Sequence, residues 1–301
     1  MTTEKSIKRA TSGQRDQVAA IVAALVKKLM VEIGVDQEGA QKLISGGAAF
    51  KDELRDPLMA AIREHGTINT FADEERTPRY GYPSGYRRAK PVADQMTMLK
   101  GFFPQLSSFD ESAAAKNLLL DAEGNFLIPD WRAIAPTYGE AVEIVLAALK
   151  KSRDGRFVNY REGALGSDRL RESVNKVKFF QNLRKEQAGH DVLVVQAQFG
   201  IRHRGRSVRR ARFVMGKSEC GLGAFEIGIM LLLHPERLAH FDDLWVDCSG
   251  DEYDYNADGV FSYAPYFYFY GVSLGFYTYD VDFPNAYYGA ASAFVVVVPS
   301  E

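Results

Sequence analysis

The chain has 301 residues, 46% hydrophobic, 25% charged and 12% aromatic, with a formal net charge of −2 at pH 7. Such proportions belong to an ordinary globular protein with enough residues for a large core, and they exclude collagen-like, disulfide-scaffold and wholly disordered classes. The opening MTTEKSIKRATSG lacks the apolar stretch of a secretory leader, and no apolar run is long enough to cross a bilayer; two cysteines, Cys220 and Cys248, make no disulfide framework, so the expectation is a cytoplasmic protein without a membrane partner.

Val18, Ile21, Val22, Leu25 and Leu29 recur at helical spacing and predict a helix over Gln14–Ile33, ended by Gly34. Shorter helices follow at Gln37–Ile44 and Lys51–Glu64, so residues 1–75 read as a helical segment in which Leu29 and Met30 belong to a core. Residues 76–136 are irregular, punctuated by Pro78, Pro83, Pro91, Pro104, Pro129 and Pro136, with helices expected at Val92–Leu99 and Glu111–Leu120 and a strand, turn and strand in LLLDAEGNFLIPDW. Residues 137–240 mix helix and strand. A helix spans Gly139–Lys151, a long one is capped by Ser167 and runs to Gln187, Val192–Val195 is a strand, and Leu222–Leu233 is apolar all round and central to the core. Residues 241–301 are mostly β, with Leu244–Val246, Phe261–Tyr270, Val272–Tyr279 and Ala291–Val298 as strands of an antiparallel sheet. The fold class is α+β: a helical N-terminal part, a mixed central part around a buried helix, and an aromatic β-rich C-terminal part packed on it.

Charge is unevenly spread. Residues 241–301 hold ten acids, no Lys or Arg, and 18 of the 36 aromatic residues, which leaves a formal +8 on the first 240 residues. That asymmetry points to an anionic partner, to pairing between the two parts, or to both. Within IRHRGRSVRRARFVMGK, Arg202, Arg204, Arg206, Arg209, Arg210, Arg212 and Lys217 occur without an acid, and guanidinium groups suit bidentate bonds to phosphate or carboxylate. One reading is contact with the phosphates of a nucleic acid or a phosphorylated small molecule. The other is neutralisation by the seven acids of 242–258. If Ser207 starts a helix, these arginines spread over more than one face. A second basic stretch, Arg76, Arg79, Arg87, Arg88 and Lys90 interleaved with Tyr80, Tyr82 and Tyr86, suits stacking on bases with Arg on phosphate, or a Pro/Gly loop packed on the body.

The acidic block also suggests a divalent metal as cofactor. Asp254-Tyr-Asn256-Ala-Asp258-Gly259 matches the first half of a calcium loop, but the twelfth position is Pro265, and a turn is the simpler reading. Asp247, Asp251 and Glu252 around Ser249-Gly250 have the atoms of a magnesium or acid/base site. His234 and His240 beside Asp242 and Asp243 have the atoms of a transition-metal site, though Pro235 breaks the spacing. Ala211–Ser218 imitates a phosphate loop, yet Arg212, Phe213, Val214 and Met215 are too bulky to let amides wrap a phosphate. Acidic neighbours would raise the thiol pKa of Cys248, which argues against a thiolate nucleophile.

The phrases RYGYPSG, PTYGEAVE, NYREGALG, QFGIRHRGRSVRRAR, LGAFEIGIMLLLHPERL, DLWVDCSGDEY and YGAASAF, spread over residues 79–294, are similar to a family of uncharacterised proteins of candidate-phylum bacteria. That resemblance leaves out the N-terminal helical part and implies no activity, cofactor or site residue. Three functions therefore stand: a binder of an anionic ligand through Arg202–Lys217 helped by Arg79–Lys90, a metal-dependent hydrolase using the acidic block, and an interaction protein whose aromatic tail builds a partner surface or a homo-oligomer.

Overall fold

The computed structural model describes residues 12–65, 70–216 and 218–295. Lys217 and the last part of the strand expected at Ala291–Val298 lie outside the described residues. The chain divides into two compact units, residues 1–73 and 74–301.

The first unit holds α1 (Ser12–Glu32), α2 (Gln37–Ser45) and α3 (Gly47–His65). Asp36 caps α2 by accepting the Gly39 amide at 2.7 Å. The periodicity of α1 forms a helix, but the helix buries no residue, and Val18, Ile21, Leu25 and Leu29 are exposed. Spacing fixes which residues share a face; burying that face also requires an opposing apolar surface.

The second unit takes α4 (Val92–Phe102), α5 (Glu111–Ala114), β1 (Gly124–Pro129), α6 (Tyr138–Ser152), β2 (Phe157–Asn159), β3 (Leu170–Glu172), α7 (Val174–Glu186), β4 (Val192–Gln198), α8 (Val208–Val214), β5 (Glu219–Gly221) and α9 (Ala224–Leu233). It ends with β6 (Trp245–Asp247), β7 (Asp251–Tyr253), β8 (Tyr263–Tyr270), β9 (Ser273–Asp280), β10 (Tyr288–Ala290) and β11 (Ser292–Phe294). Caps set the helix starts. Thr137 and Glu140 form a reciprocal capping box on α6, Ser173 caps α7, and Ser207 caps α8. All ten residues of α9 are buried, each large side chain contributing about 1.5–3 kcal/mol of transfer free energy. Gly228 lets α9 pack closely on α6: a Cβ there would stand 2.5 Å from Val145 Cγ1 and 3.7 Å from Phe267 of β8.

The strands form two sheets. One runs β1-β4-β11-β5, antiparallel throughout. The other runs β10-β6-β8-β7-β3, with β9 on β8 and β2 on β9. Two of its pairings are parallel, β10 with β6 and β2 with β9, where the sequence predicts an antiparallel sheet. Local alternation places a residue on a face; it does not select the direction of a partner distant in sequence. Two further differences are local. Ser167 caps no helix: Leu170, counted as a helical position, is buried in β3 opposite Tyr253, and Ser173 is the true cap. Leu118 and Leu120 are exposed and form no strand, because β1 pairs with β4 instead.

In the second sheet Val246, Phe267, Leu274 and Phe276 face the core. Alternation sends Trp245, Asp247, Tyr266, Tyr268, Tyr277, Tyr279 and Tyr288 to the opposite face.

Candidate functional site

The arginine cluster is largely neutralised, by acids other than the 242–258 block. Arg202 pairs with Asp121 and with Glu219, Arg206 and Arg210 share Glu75, and Arg209 pairs with Glu74 and lies 3.8 Å from Asp282. Arg212 alone reaches the acidic block, through carbonyls: Nε donates to Ser249 O at 2.8 Å and Nη2 to Asp251 O at 2.6 Å. Glu74 and Glu75 pair antiparallel-fashion along 204–207, with Glu75 bridged to Arg206 and the Ser207 amide donating to Glu74 O. The second basic stretch is likewise wired inward. The Tyr82 hydroxyl donates to Glu123 at 2.8 Å and its ring lies 3.9 Å from the Arg237 guanidinium. Tyr86 is buried, Arg87 donates to the Tyr82 and Tyr86 carbonyls, and Lys90 donates to Leu233 O and Glu236. Arg79, Arg88 and Arg204 are exposed and carry no side-chain hydrogen bond or ion pair. Among the described residues of the predicted anion-binding set, these three are the exposed arginines without a side-chain partner.

The three carboxylates offered to a metal do not converge. Asp251 and Glu252 are neighbours on β7 and point to opposite faces. Glu252 pairs with Arg171 at 2.8 Å. Asp251 is fully buried and accepts from Lys176 at 2.9 Å, Tyr138 at 2.7 Å and the Ala224 amide at 2.7 Å. Among the described residues no group of three or more His, Cys, Asp or Glu is placed to hold a metal ion. Asp254 accepts the amides of Asn256, Ala257 and Gly259, which makes the half-loop a closed turn. His234 is buried, with its pKa lowered to about 4 by burial and by Lys90, while His240 is exposed beside Asp242. Both cysteines are buried free thiols, and burial pushes Cys220 up to about 12.

Lys176 and its partners form a closed structural network. Its ammonium, 0% exposed, meets Asp251, Glu226 at 2.8 Å and the Tyr138 hydroxyl at 2.6 Å. Burial alone would lower the lysine pKa, but Asp251, Glu226 and Glu172 outweigh it and hold the charge. A Cβ at Gly223 would collide with Asp251 and Lys176, so the network leaves no room for a ligand.

Asp247 is the exception. Of the six buried carboxylates among the described residues, Glu74, Glu226, Asp243, Asp251 and Asp254 all accept hydrogen bonds. Asp247, 5% exposed, accepts none. It sits opposite Tyr266 on β8 and Ala290 on β10, and the short Ala290 puts no bulk beside the carboxyl. Trp245, two residues earlier and on the same face, sits opposite Tyr288. The three rings are close to parallel: Trp245 and Tyr288 lie 5.1 Å apart at 24°, Tyr266 and Tyr288 5.2 Å apart at 27°. Tyr268 and Tyr277 flank them. The Trp245 indole N–H is buried without a partner. Burial raises the Asp247 pKa to about 7, and Arg212, the charged neighbour, opposes the rise without bonding to it. Burial also pushes the hydroxyls of Tyr266 (to about 12) and Tyr288 up, so both stay protonated. Arg212 of the basic set thus acts electrostatically on Asp247 of the acidic set, which shares its sheet face with the stacked rings.

Sequence reasoning names Asp247 and Arg212 but misses Trp245, Tyr266 and Tyr288. The signal is period two: Trp-x-Asp and Tyr-x-Tyr put these side chains on one face. Comparison with family models, curated proteins and solved structures gives no match to this chain.

Proposed function

We propose that the chain is a binding protein for a small, flat, ring-bearing molecule, which packs against the stacked Trp245, Tyr288 and Tyr266 rings and turns a polar edge to Asp247. The observation that carries this reading is Asp247, the one buried carboxylate among the described residues that accepts no hydrogen bond, set beside stacked, near-parallel rings. The Asp247 oxygens are not among the fully enclosed side-chain atoms without a partner, so the carboxyl keeps a narrow opening to the surface while the protein gives it no donor, and its acceptor capacity is left to whatever meets it there. Aromatic faces supply ring recognition with little loss of side-chain freedom.

The two tryptophans, Trp131 and Trp245, make the test direct. In a Trp131→Phe background, titration with indazole, benzimidazole or indole should change Trp245 fluorescence saturably. Tyr288→Ala should weaken that binding about tenfold, the worth of one ring pair. Fluorescence indifferent to all three heterocycles, or equally responsive after Tyr288→Ala, would refute the reading.

A further inference from the structure

We propose that Asp247 is a catalytic base, which removes a proton from carbon in an uncharged ring compound seated against the stacked Trp245, Tyr288 and Tyr266 rings, while Arg212 meets the charge that develops. The inference rests on the binding reading and gives the site a reaction. A base must have its lone pairs free, and Asp247 is the buried carboxylate that spends none on the protein. A charge acceptor must lie nearby without quenching the base. Arg212 uses Nε and Nη2 on the Ser249 and Asp251 carbonyls, its Nη1 has no hydrogen bond, and it does not bond Asp247. The free donor and the free acceptor therefore serve a third molecule. The groups facing the carboxyl are Arg212 from α8, Tyr266 from β8 and Tyr288 from β10. The two hydroxyls remain neutral, so Arg212 is the only cation among them. A carboxyl poised near neutrality is a stronger base than an exposed one yet is still ionised in a useful fraction.

In the step, a carboxylate oxygen of Asp247 takes the proton from carbon. The C–H electron pair moves into the adjoining π system, and the negative charge settles on a carbonyl or ring oxygen near Arg212 Nη1. Return of the proton to another carbon completes an isomerisation and restores the carboxylate. No oxidant, reductant or second substrate enters.

The test uses 5-nitrobenzisoxazole with the full chain. Loss of its C–H proton breaks its N–O bond and releases the coloured 2-cyano-4-nitrophenolate, so base strength is read directly. Wild type should turn the probe over with a rate that rises through a midpoint near pH 7, and Asp247→Asn should lose 10²–10⁴-fold of that rate. Binding is followed separately with 5-nitroindazole, of similar shape but without the N–O bond, by Trp245 fluorescence in the Trp131→Phe background. Asp247→Asn keeps the stacked rings and an acceptor oxygen, so it should still bind. If 5-nitroindazole binds but turnover equals that of buffer, survives Asp247→Asn, or has no midpoint near pH 7, the catalytic role is overturned and the binding reading stands. If 5-nitroindazole does not bind, both fall.

Discussion

Asp247→Asn should stabilise the protein by an amount that grows as pH rises from about 4 to 7, where the unfolded carboxyl is charged and the buried one still holds its proton. In the unfolded chain Asp247 titrates at the ordinary value of 3.8; in the fold burial raises it to about 7. Between those values the folded state holds a proton that the unfolded state has released, so stability is full below pH 3.8 and falls as pH rises toward 7. At 1.36 kcal/mol for each tenfold change in proton affinity, the accumulated loss is about 4 kcal/mol by pH 8. Asparagine has the same shape and no charge to desolvate. The variant should match wild type near pH 4 and exceed it by up to about 4 kcal/mol at pH 8, or on the order of 10 °C in melting temperature for a unit of this size. Urea denaturation of both proteins at pH 4, 6, 7 and 8, followed by circular dichroism, measures the difference. A variant no more stable than wild type at pH 8 would show that the carboxylate is solvated or bonded in the fold, and the description of the site would fail with it.

Lys176→Met should cost about 3–5 kcal/mol in the same assay, because it leaves Asp251 and Glu226 buried and uncompensated; a loss under 1 kcal/mol would contradict the closed network. Glu75→Gln should cost about 1–3 kcal/mol by removing the carboxylate shared by Arg206 and Arg210, and it should raise affinity for single-stranded oligonucleotides in a salt-sensitive way, which filter binding at two salt concentrations would detect. His234 has the opposite pH behaviour to Asp247. Its folded pKa of about 4 lies below the ordinary 6.5, so its stability contribution, about 3 kcal/mol, is present above pH 6.5 and lost as pH falls toward 4. His234→Phe should remove that acid-side loss, and equal acid sensitivity in the variant would refute the assignment.

The sequence carries the α+β class because helical periodicity and β-branched or aromatic runs are local properties, and the apolar run 222–233 is buried on every side as its composition requires. It does not carry sheet topology. β3 and β2, each three residues long, join a sheet built mainly from the last fifth of the chain, and no local pattern marks either. The candidate site was half legible. Arg212 and Asp247 stand out by charge, each within a block of like residues, and the blocks invite pairing with each other. The actual partners of the arginines are Glu74, Glu75, Asp121 and Glu219, up to 135 positions away, because β11 and the 74–76 segment bring distant chain beside residues 202–210. Which acid meets which base is a tertiary fact, whereas the shared face of Trp245, Tyr266 and Tyr288 follows from strand alternation once the strands are placed.

The contrast between Asp247 and Asp251 bears on why the first is left open. Both are buried, both lie in DCSGD where β6 turns into β7, and both have a cation near. Asp251 has Lys176, whose flexible stem brings the ammonium into contact. Asp247 has Arg212, whose planar fork is held by two carbonyls of the same turn, Ser249 and Asp251. A guanidinium donates from several nitrogens in fixed directions, so anchoring Nε and Nη2 also fixes where Nη1 points. The same turn thus carries Asp251 and the two carbonyls that anchor the arginine, which makes no bond to Asp247. If selection had acted on stability alone, an uncharged side chain at 247 would serve the fold better by about 4 kcal/mol at pH 8. On the proposed reading, the unbonded carboxyl and the anchored guanidinium are the two groups a bound ring compound would meet.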